Sequence, residues 1–247
     1  MAIAKGEYVG FVDGDDWVKE DMFEFLYNTL ITHDADISIC GHFVVDGDHV
    51  EPIRNSGDIK ILNHVEALSA ILLDEEINSF AWDKLYKREL FVDLYYPVGR
   101  RFEDIPFTYL IFNRSKRAVQ ANISKYFYVR RTGSTCLQIN PLNQLHIFYG
   151  FHERYIFALN NSEVHGILPI LLKKSLDHGF IAIYPLLLLK NYPNKELYIS
   201  EFYKRFDFYK DVKLKDKGLS HFVKLYLIVR MPKLYSFLYR YYHKFKN

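Results

Sequence analysis

At 247 residues, 49% of them hydrophobic and 25% charged, the chain is long enough for one full core, or one core and a smaller satellite, with the make-up of an ordinary globular protein. The net charge is only +2, yet the ten Lys and Arg from Lys210 onward meet only Asp211 and Asp216, leaving the tail at +8 and residues 1–209, with 22 basic and 28 acidic, at −6; such a tail points to an anionic partner. Cys40 and Cys136 stand far apart, excluding a disulfide framework or cysteine-ligated zinc, and the longest uncharged stretch, Gly179 to Leu189, is 11 residues with Pro185 inside it, against the roughly 20 a bilayer-spanning helix needs.

In chain order, no secretory signal follows Met1: Lys5 and Glu7 lead straight into a strand-like run, and a reducing cytoplasm is the expected setting. Tyr8 to Val12 predicts a short strand buried on both faces, ending in Asp13-Gly14-Asp15-Asp16. Lys19 to Thr32 has Met22, Phe23, Leu26, Tyr27 and Leu30 at helical spacing, with Glu20 and Asp21 near its start. Asp36 to Val45 reads as a strand entering a turn at Asp46-Gly47-Asp48. Asn63 followed by Glu66 is a capping-box pattern opening a helix through Leu73. Asp104 to Phe112 suits a short helix, and Ala118 to Ile123 and Tyr126 to Arg131 two short strands. Beyond Gln138 only helical patterns follow, over 142–159, 167–178, 196–209, 221–230 and 233–245. The expected organisation is a mixed α/β part over residues 1–137 and a helical part over 138–247. The 20 Tyr and 20 Phe are scattered, which suits core filling and not a base-stacking platform for nucleic acid.

The Asp13-Gly14-Asp15-Asp16 run stands out chemically because hard cations such as Mn²⁺ or Mg²⁺ take oxygen ligands and share them with a diphosphate. Gly14 would let the loop turn tightly. An acidic turn with no ligand is the alternative, since DxD tripeptides are common. Glu103 and Asp104 equally suit the start of a helix, where acids are favourable without catalysis. His42, His146, His152 and His165 lack the HExxH spacing of a zinc protease.

The stretch from Ala4 to Val18, AKGEYVGFVDGDDWV, closely resembles the centre of family 2 glycosyltransferases of the GT-A fold, in which a strand delivers a DxD loop to a nucleotide sugar. Three later stretches are similar to that family in the same order. Ala81-Trp82-Asp83-Lys84-Leu85-Tyr86 resembles its acceptor-side segment, Arg101-Phe102-Glu103-Asp104 its ED motif, and Tyr126 to Ser134 the basic-aromatic strand and loop that follow. The resemblance covers residues 4 to about 135 and implies an inverting, metal-dependent transfer of a sugar from a nucleotide diphosphate to a glycan or lipid-linked acceptor, in surface polysaccharide synthesis such as capsule or O-antigen. It implies that Asp15, with Asp13 or Asp16, holds Mn²⁺ or Mg²⁺, and that Asp104, beside Glu103, takes the acceptor's proton. Lys84, Arg130 and Arg131 would face diphosphate or an anionic acceptor, or else be ordinary surface charge; Asp13 would also meet substrate; and Trp82 would either stack on a sugar face or be a buried aromatic. A complete member carries an earlier strand-helix segment for the base and ribose, which is not found ahead of Tyr8, so a partial GT-A domain of doubtful activity is expected.

Two other readings remain. A haloacid-dehalogenase phosphatase also places DxD after an apolar strand, but needs Thr or Val soon after the second Asp, where this chain has Asp16-Trp17. A non-catalytic remnant binding a membrane surface would keep the basic tail, in which Met231, Leu234, Tyr235, Leu238, Tyr241, Tyr242 and Phe245 recur at three- and four-residue steps and Lys233, Arg240 and Lys244 take another face. That pattern is expected to place the protein at the inner face of the cell membrane.

Overall fold

The computed structural model describes residues 3–131, 140–189, 191–212, 216, 218–231, 233–235, 237–238 and 241. Thr132, Gly133, Ser134 and Cys136, and Arg240, Tyr242, Lys244 and Phe245 of the tail, lie outside them. The chain divides into two compact units, Met1–Gln138 and Ile139–Asn247.

The first unit is built on one seven-stranded sheet of β1 (Tyr8–Gly10), β2 (Trp17–Val18), β3 (Ile37–Asp46), β4 (His49–Ile53), β5 (Ile59–Asn63), β6 (Lys84–Lys87) and β7 (Arg117–Val129). The order is β1-β6-β3-β7-β2, with β4 also paired to β3 and β5 to β7. β3 and β7 run parallel, and the other pairs are antiparallel. β1 is shorter than its apolar run and half-buried, an edge strand paired with β6 among the described residues. Its close cover is helix α1 (Met22–Thr32): a Cβ on Gly10 would come within 2.2 Å of the Phe23 ring, so any larger residue there would have to displace that ring. α1 starts later than the pattern suggests, after a turn in which Met22 N–H donates to Lys19 O.

The capping box forms as expected at α2 (His64–Leu73), where Asn63 Oδ1 accepts from Glu66 N–H and Glu66 Oε2 from Asn63 N–H. The turn after β3 is also as expected, with Gly47 at φ +58 between Asp46 and its partner His49. The two strands expected after residue 117 are instead one, β7. Between the pairs Ile39↔Gln120 and His42↔Tyr126, β3 advances three residues and β7 six, so β7 carries three extra residues in a bulged stretch whose irregular alternation hides the continuity. The expected helix from Asp104 is confined to α3 (Thr108–Phe112), preceded by turns. Met22, Leu26, Cys40, Trp82, Leu85 and Tyr126 form one buried cluster beneath α1, each large side chain contributing about 1.5–3 kcal/mol by burial.

In the second unit, α4 (Pro141–Leu159) is opened by Asn140, whose Oδ1 accepts from Leu142 N–H, with Pro141 at the first turn. It is followed by α5 (Leu168–Leu188), α6 (Lys195–Phe206) and α7 (Leu219–Arg230). Phe148, Phe202, Phe206 and Tyr209 are fully buried there, and His152 Nδ1, Tyr209 Oη and Ser175 Oγ form a hydrogen-bonded row. Burial, with the Arg205 guanidinium nearby, pulls the His152 imidazole down to about 4. Among the described residues no helix is long and apolar enough to cross a membrane.

Candidate functional site

Asp13-Gly14-Asp15-Asp16 forms a hydrogen-bonded turn just past β1, closed by Asp16 N–H on Asp13 O at 3.1 Å. Gly14 does not take a left-handed conformation, and a Cβ there would meet nothing within 4 Å, so tight turning is not what this glycine supplies. The turn is held instead by β7. Asp16 Oδ2 accepts from Tyr126 Oη at 2.7 Å and Oδ1 from Val129 N–H at 2.8 Å. Tyr126 Oη in turn accepts from Asp13 N–H at 3.1 Å, and Arg131 Nη2 donates to Asp15 O at 2.8 Å. Asp16 therefore works as the anchor of the turn, while Asp13 and Asp15 stay at the exposed surface.

The second acidic turn is closed by bonds between neighbours. Ile105 N–H bonds both Phe102 O and the carboxylate Oδ1 of its own neighbour Asp104, and Phe107 and Thr108 N–H converge on Asp104 O. Thr108 Oγ1 ties the start of α3 to Ser79 O. Just before the acids, Phe102 takes φ +53, a left-handed backbone that costs a bulky residue about 1–3 kcal/mol. It turns the chain so that Glu103 is exposed and Asp104 half-buried.

The two turns share one acidic neighbourhood. Although Asp13 is exposed at its edge, partial desolvation within the turn raises its carboxyl above the ordinary range, and the charges of Asp16, Asp15 and Glu103 push it further. Tyr96, which stacks on Phe107 with ring centroids 3.8 Å apart, has its phenol raised by burial and then by Asp104, Glu103 and Asp13. Its buried hydroxyl has no hydrogen-bond partner among the described residues. Only this neighbourhood marks Tyr96, and no sequence pattern points to it.

Crowded carboxylates of this kind favour a divalent cation. Among the described residues no three His, Cys, Asp or Glu side chains come together in metal-holding geometry. The oxygen donors of Asp13 and Asp15 fit the manner in which Mg²⁺ and Mn²⁺ are held by one or two carboxylates, with substrate phosphates and water completing the shell.

The other expected contacts are placed differently. Trp82 is 6% exposed and stacks on Phe80 and Tyr126, with centroids 4.7 and 4.2 Å away, so its ring belongs to the core and not to an open sugar-binding face. Lys84 is fully buried; its Nζ is paired with Asp83 and donates to Asn78 O at 2.8 Å and Phe80 O at 2.6 Å, which turns it away from any diphosphate. Arg130 is exposed at the end of β7, its N–H extending the ladder to Val45 O. Arg131 alone among the expected cations touches the acidic turn.

The family model "Glycosyl transferase family 2" matches residues 1–134. Among curated proteins, the glycosyltransferase GlyG of Streptococcus pneumoniae serotype 4 is 33% identical over 142 residues, 54% of this chain and 47% of that protein. The glycosyltransferase GlyA of the same organism is 31% identical over 137 residues, 52% of this chain and 20% of that protein. The chain thus spans about half, or about a fifth, of these relatives' length. Among solved structures, S. aureus TarS 1–349, crystallised with UDP-GlcNAc, matches with a TM-score of 0.62 at 17% identity, over 97% of this chain and 69% of that one, a likeness of fold.

Proposed function

The chain belongs to glycosyl transferase family 2, and from that premise we propose that it moves a sugar from a nucleotide diphosphate donor to a hydroxyl of a glycan or lipid-linked acceptor with inversion at the sugar carbon. The observation that carries this is the shared neighbourhood of the two acidic turns, in which Glu103 acts electrostatically on Asp13. A donor's diphosphate belongs at the Asp13–Asp15 turn and the acceptor hydroxyl at the Glu103–Asp104 turn, so that attack and departure occupy opposite faces of the ring.

Asp104 accepts the proton of the acceptor hydroxyl as its oxygen bonds to the sugar carbon; the bond from that carbon to the diphosphate oxygen breaks, and the nucleotide diphosphate leaves with the electron pair. Glu103, exposed beside it, offers a second acceptor oxygen for the incoming sugar's hydroxyls. Asp13 and Asp15 would hold Mn²⁺ or Mg²⁺, which when bound supplies a Lewis acid for the charge growing on the diphosphate. Asp16 keeps the turn in place through Tyr126 and Val129, and Arg131 steadies it from the Asp15 carbonyl. The UDP-GlcNAc bound by TarS makes a uridine nucleotide the first donor to try. A role in surface polysaccharide synthesis, at the inner membrane face, belongs to the same reading.

Calorimetric titration of the chain with UDP and GDP, with and without Mn²⁺, tests it. Binding that requires the metal is expected. Binding of neither nucleotide under either condition would sink the donor reading and leave a protein that keeps the fold without the transfer.

A further inference from the structure

α7 has apolar residues on both of its sides. Leu225 and Ile228 are buried, and the helix is fastened to its unit by His221 Nε2 on Asp177 Oδ1 at 2.8 Å and by Tyr203 Oη on Ile228 O at 3.2 Å. The opposite side ought therefore to be polar. It instead carries Phe222, Val223 and Tyr226, all exposed, the last at 52%. At 100° per residue these three fall within one 100° sector, and Arg230 falls inside it too.

The stretch that follows repeats the arrangement. Lys233–Tyr235, Phe237, Leu238 and Tyr241 are helical, and Tyr235 is buried while Leu234, Phe237, Leu238 and Tyr241 are exposed, Phe237 at 63%. At helical spacing those four share one side, with Lys233 next to it. Two consecutive elements thus turn aromatic and aliphatic side chains to solvent, within the part of the chain where ten Lys and Arg meet two Asp.

We propose that the exposed side of α7 together with Lys233, Leu234, Phe237, Leu238 and Tyr241 is a docking surface for an anionic lipid bilayer, the aromatic and Leu side chains entering the headgroup boundary and Arg230 and Lys233 pairing with lipid phosphates. Charge selects this occupant: a second copy would bring the same +8 tail against itself, whereas an anionic surface draws it. The side chains that penetrate are those an interface favours, with apolar bodies and, in the tyrosines, a polar tip left in the wet layer. The surface stands whichever sugar the acidic turns handle, and its test needs no catalysis.

The full chain is sedimented with vesicles of phosphatidylcholine alone and of phosphatidylcholine with phosphatidylglycerol. Binding is expected to the anionic vesicles and to fall with added salt. Arg230→Glu with Lys233→Glu should weaken it by at least about 25-fold, since each basic charge near the bilayer changes the partition about five-fold. Phe237→Ser with Leu238→Ser should abolish it, with far-UV circular dichroism and the unfolding midpoint showing that the variant remains folded; the charge variant carries the test if it does not. Binding to neither vesicle, equal binding to both, or binding indifferent to both double variants would overturn the proposal. So would a dimer in solution that the Phe237–Leu238 variant dissociates, which would give the surface to a second copy.

Discussion

The two acidic turns that the proposed transfer pairs are held in different ways. Residues 13–16 are fixed by groups more than a hundred positions away, since Tyr126, Val129 and Arg131 reach across from β7 to an anchor carboxylate and to the turn's own backbone. Residues 103–107 are closed by bonds among neighbours, with Asp104 accepting from Ile105, Phe107 and Thr108, and are tied to residue 79 through Thr108 Oγ1 on Ser79 O. The turn at residues 13–16 therefore inherits shifts of β7. The donor side of the proposed site is the side that mutations in β7 will reach.

Substitutions can separate the two. Asp104→Asn keeps the local turn nearly isosteric and removes the base; transfer is expected to fall by about 10²–10⁴-fold while nucleotide affinity in the calorimeter stays put, and retained turnover would strip Asp104 of that role. Asp15→Asn should act on the other side alone, weakening Mn²⁺-dependent nucleotide binding by about 10- to 100-fold, the range found when the support of a metal ligand is lost. Tyr126→Phe leaves the ring stacked on Trp82 but takes the hydroxyl from Asp16 and Asp13. Losing a hydrogen bond to a charged group is worth about 1.5–3 kcal/mol, so donor affinity should drop about ten-fold or more with the turnover of bound donor little changed; an equal effect on both would mean that the turns are mechanically one.

Acid provides the mildest separation. His42 is buried with its Nδ1 unpartnered among the described residues, and its ring packs edge-on to Trp82, which stacks on Tyr126. Burial is the main cause that holds its imidazole down at about 4 in the folded chain, against 6.5 unfolded, with Arg54 and Lys84 adding to the effect. The fold thus prefers the neutral ring, and the stability this represents is complete above pH 6.5 and is lost as pH falls toward 4. Urea unfolding at pH 7 and pH 5 should differ by about 1–2 kcal/mol from this group. His152 moves in the same direction, so the part that disappears in His42→Asn isolates the ring beside the clamp.

How much of this was legible follows from how far each feature reaches. The capping box at Asn63 and Glu66 and the Pro141 start of α4 are local, and the sequence foretells them to the residue or nearly so. The acidic turns are recognisable because each is a short contiguous motif. The burial of Trp82 and Lys84 is not legible locally, because it depends on strands that close over them: nothing adjacent to Lys84 in the chain says that the carbonyls of Asn78 and Phe80 will receive its ammonium. The anchoring part of Asp16 was hidden for the same reason, its partners lying 110 and 113 residues on. Tyr96 has no local signal, being marked only by the acids that fold around it.

The three extra residues in β7 have one more effect. They set the phase of the strand just before Tyr126, and in an extended chain a change of one residue exchanges the faces to which the following side chains point. A single insertion or deletion between Ala121 and Ser124 would therefore rotate the clamp away from the acidic turn, or demand a compensating slip, with no change in the motif itself. Strand length at this spot acts as a tuning screw on the donor site, and it is where a designer could retune that site without touching any of its carboxylates.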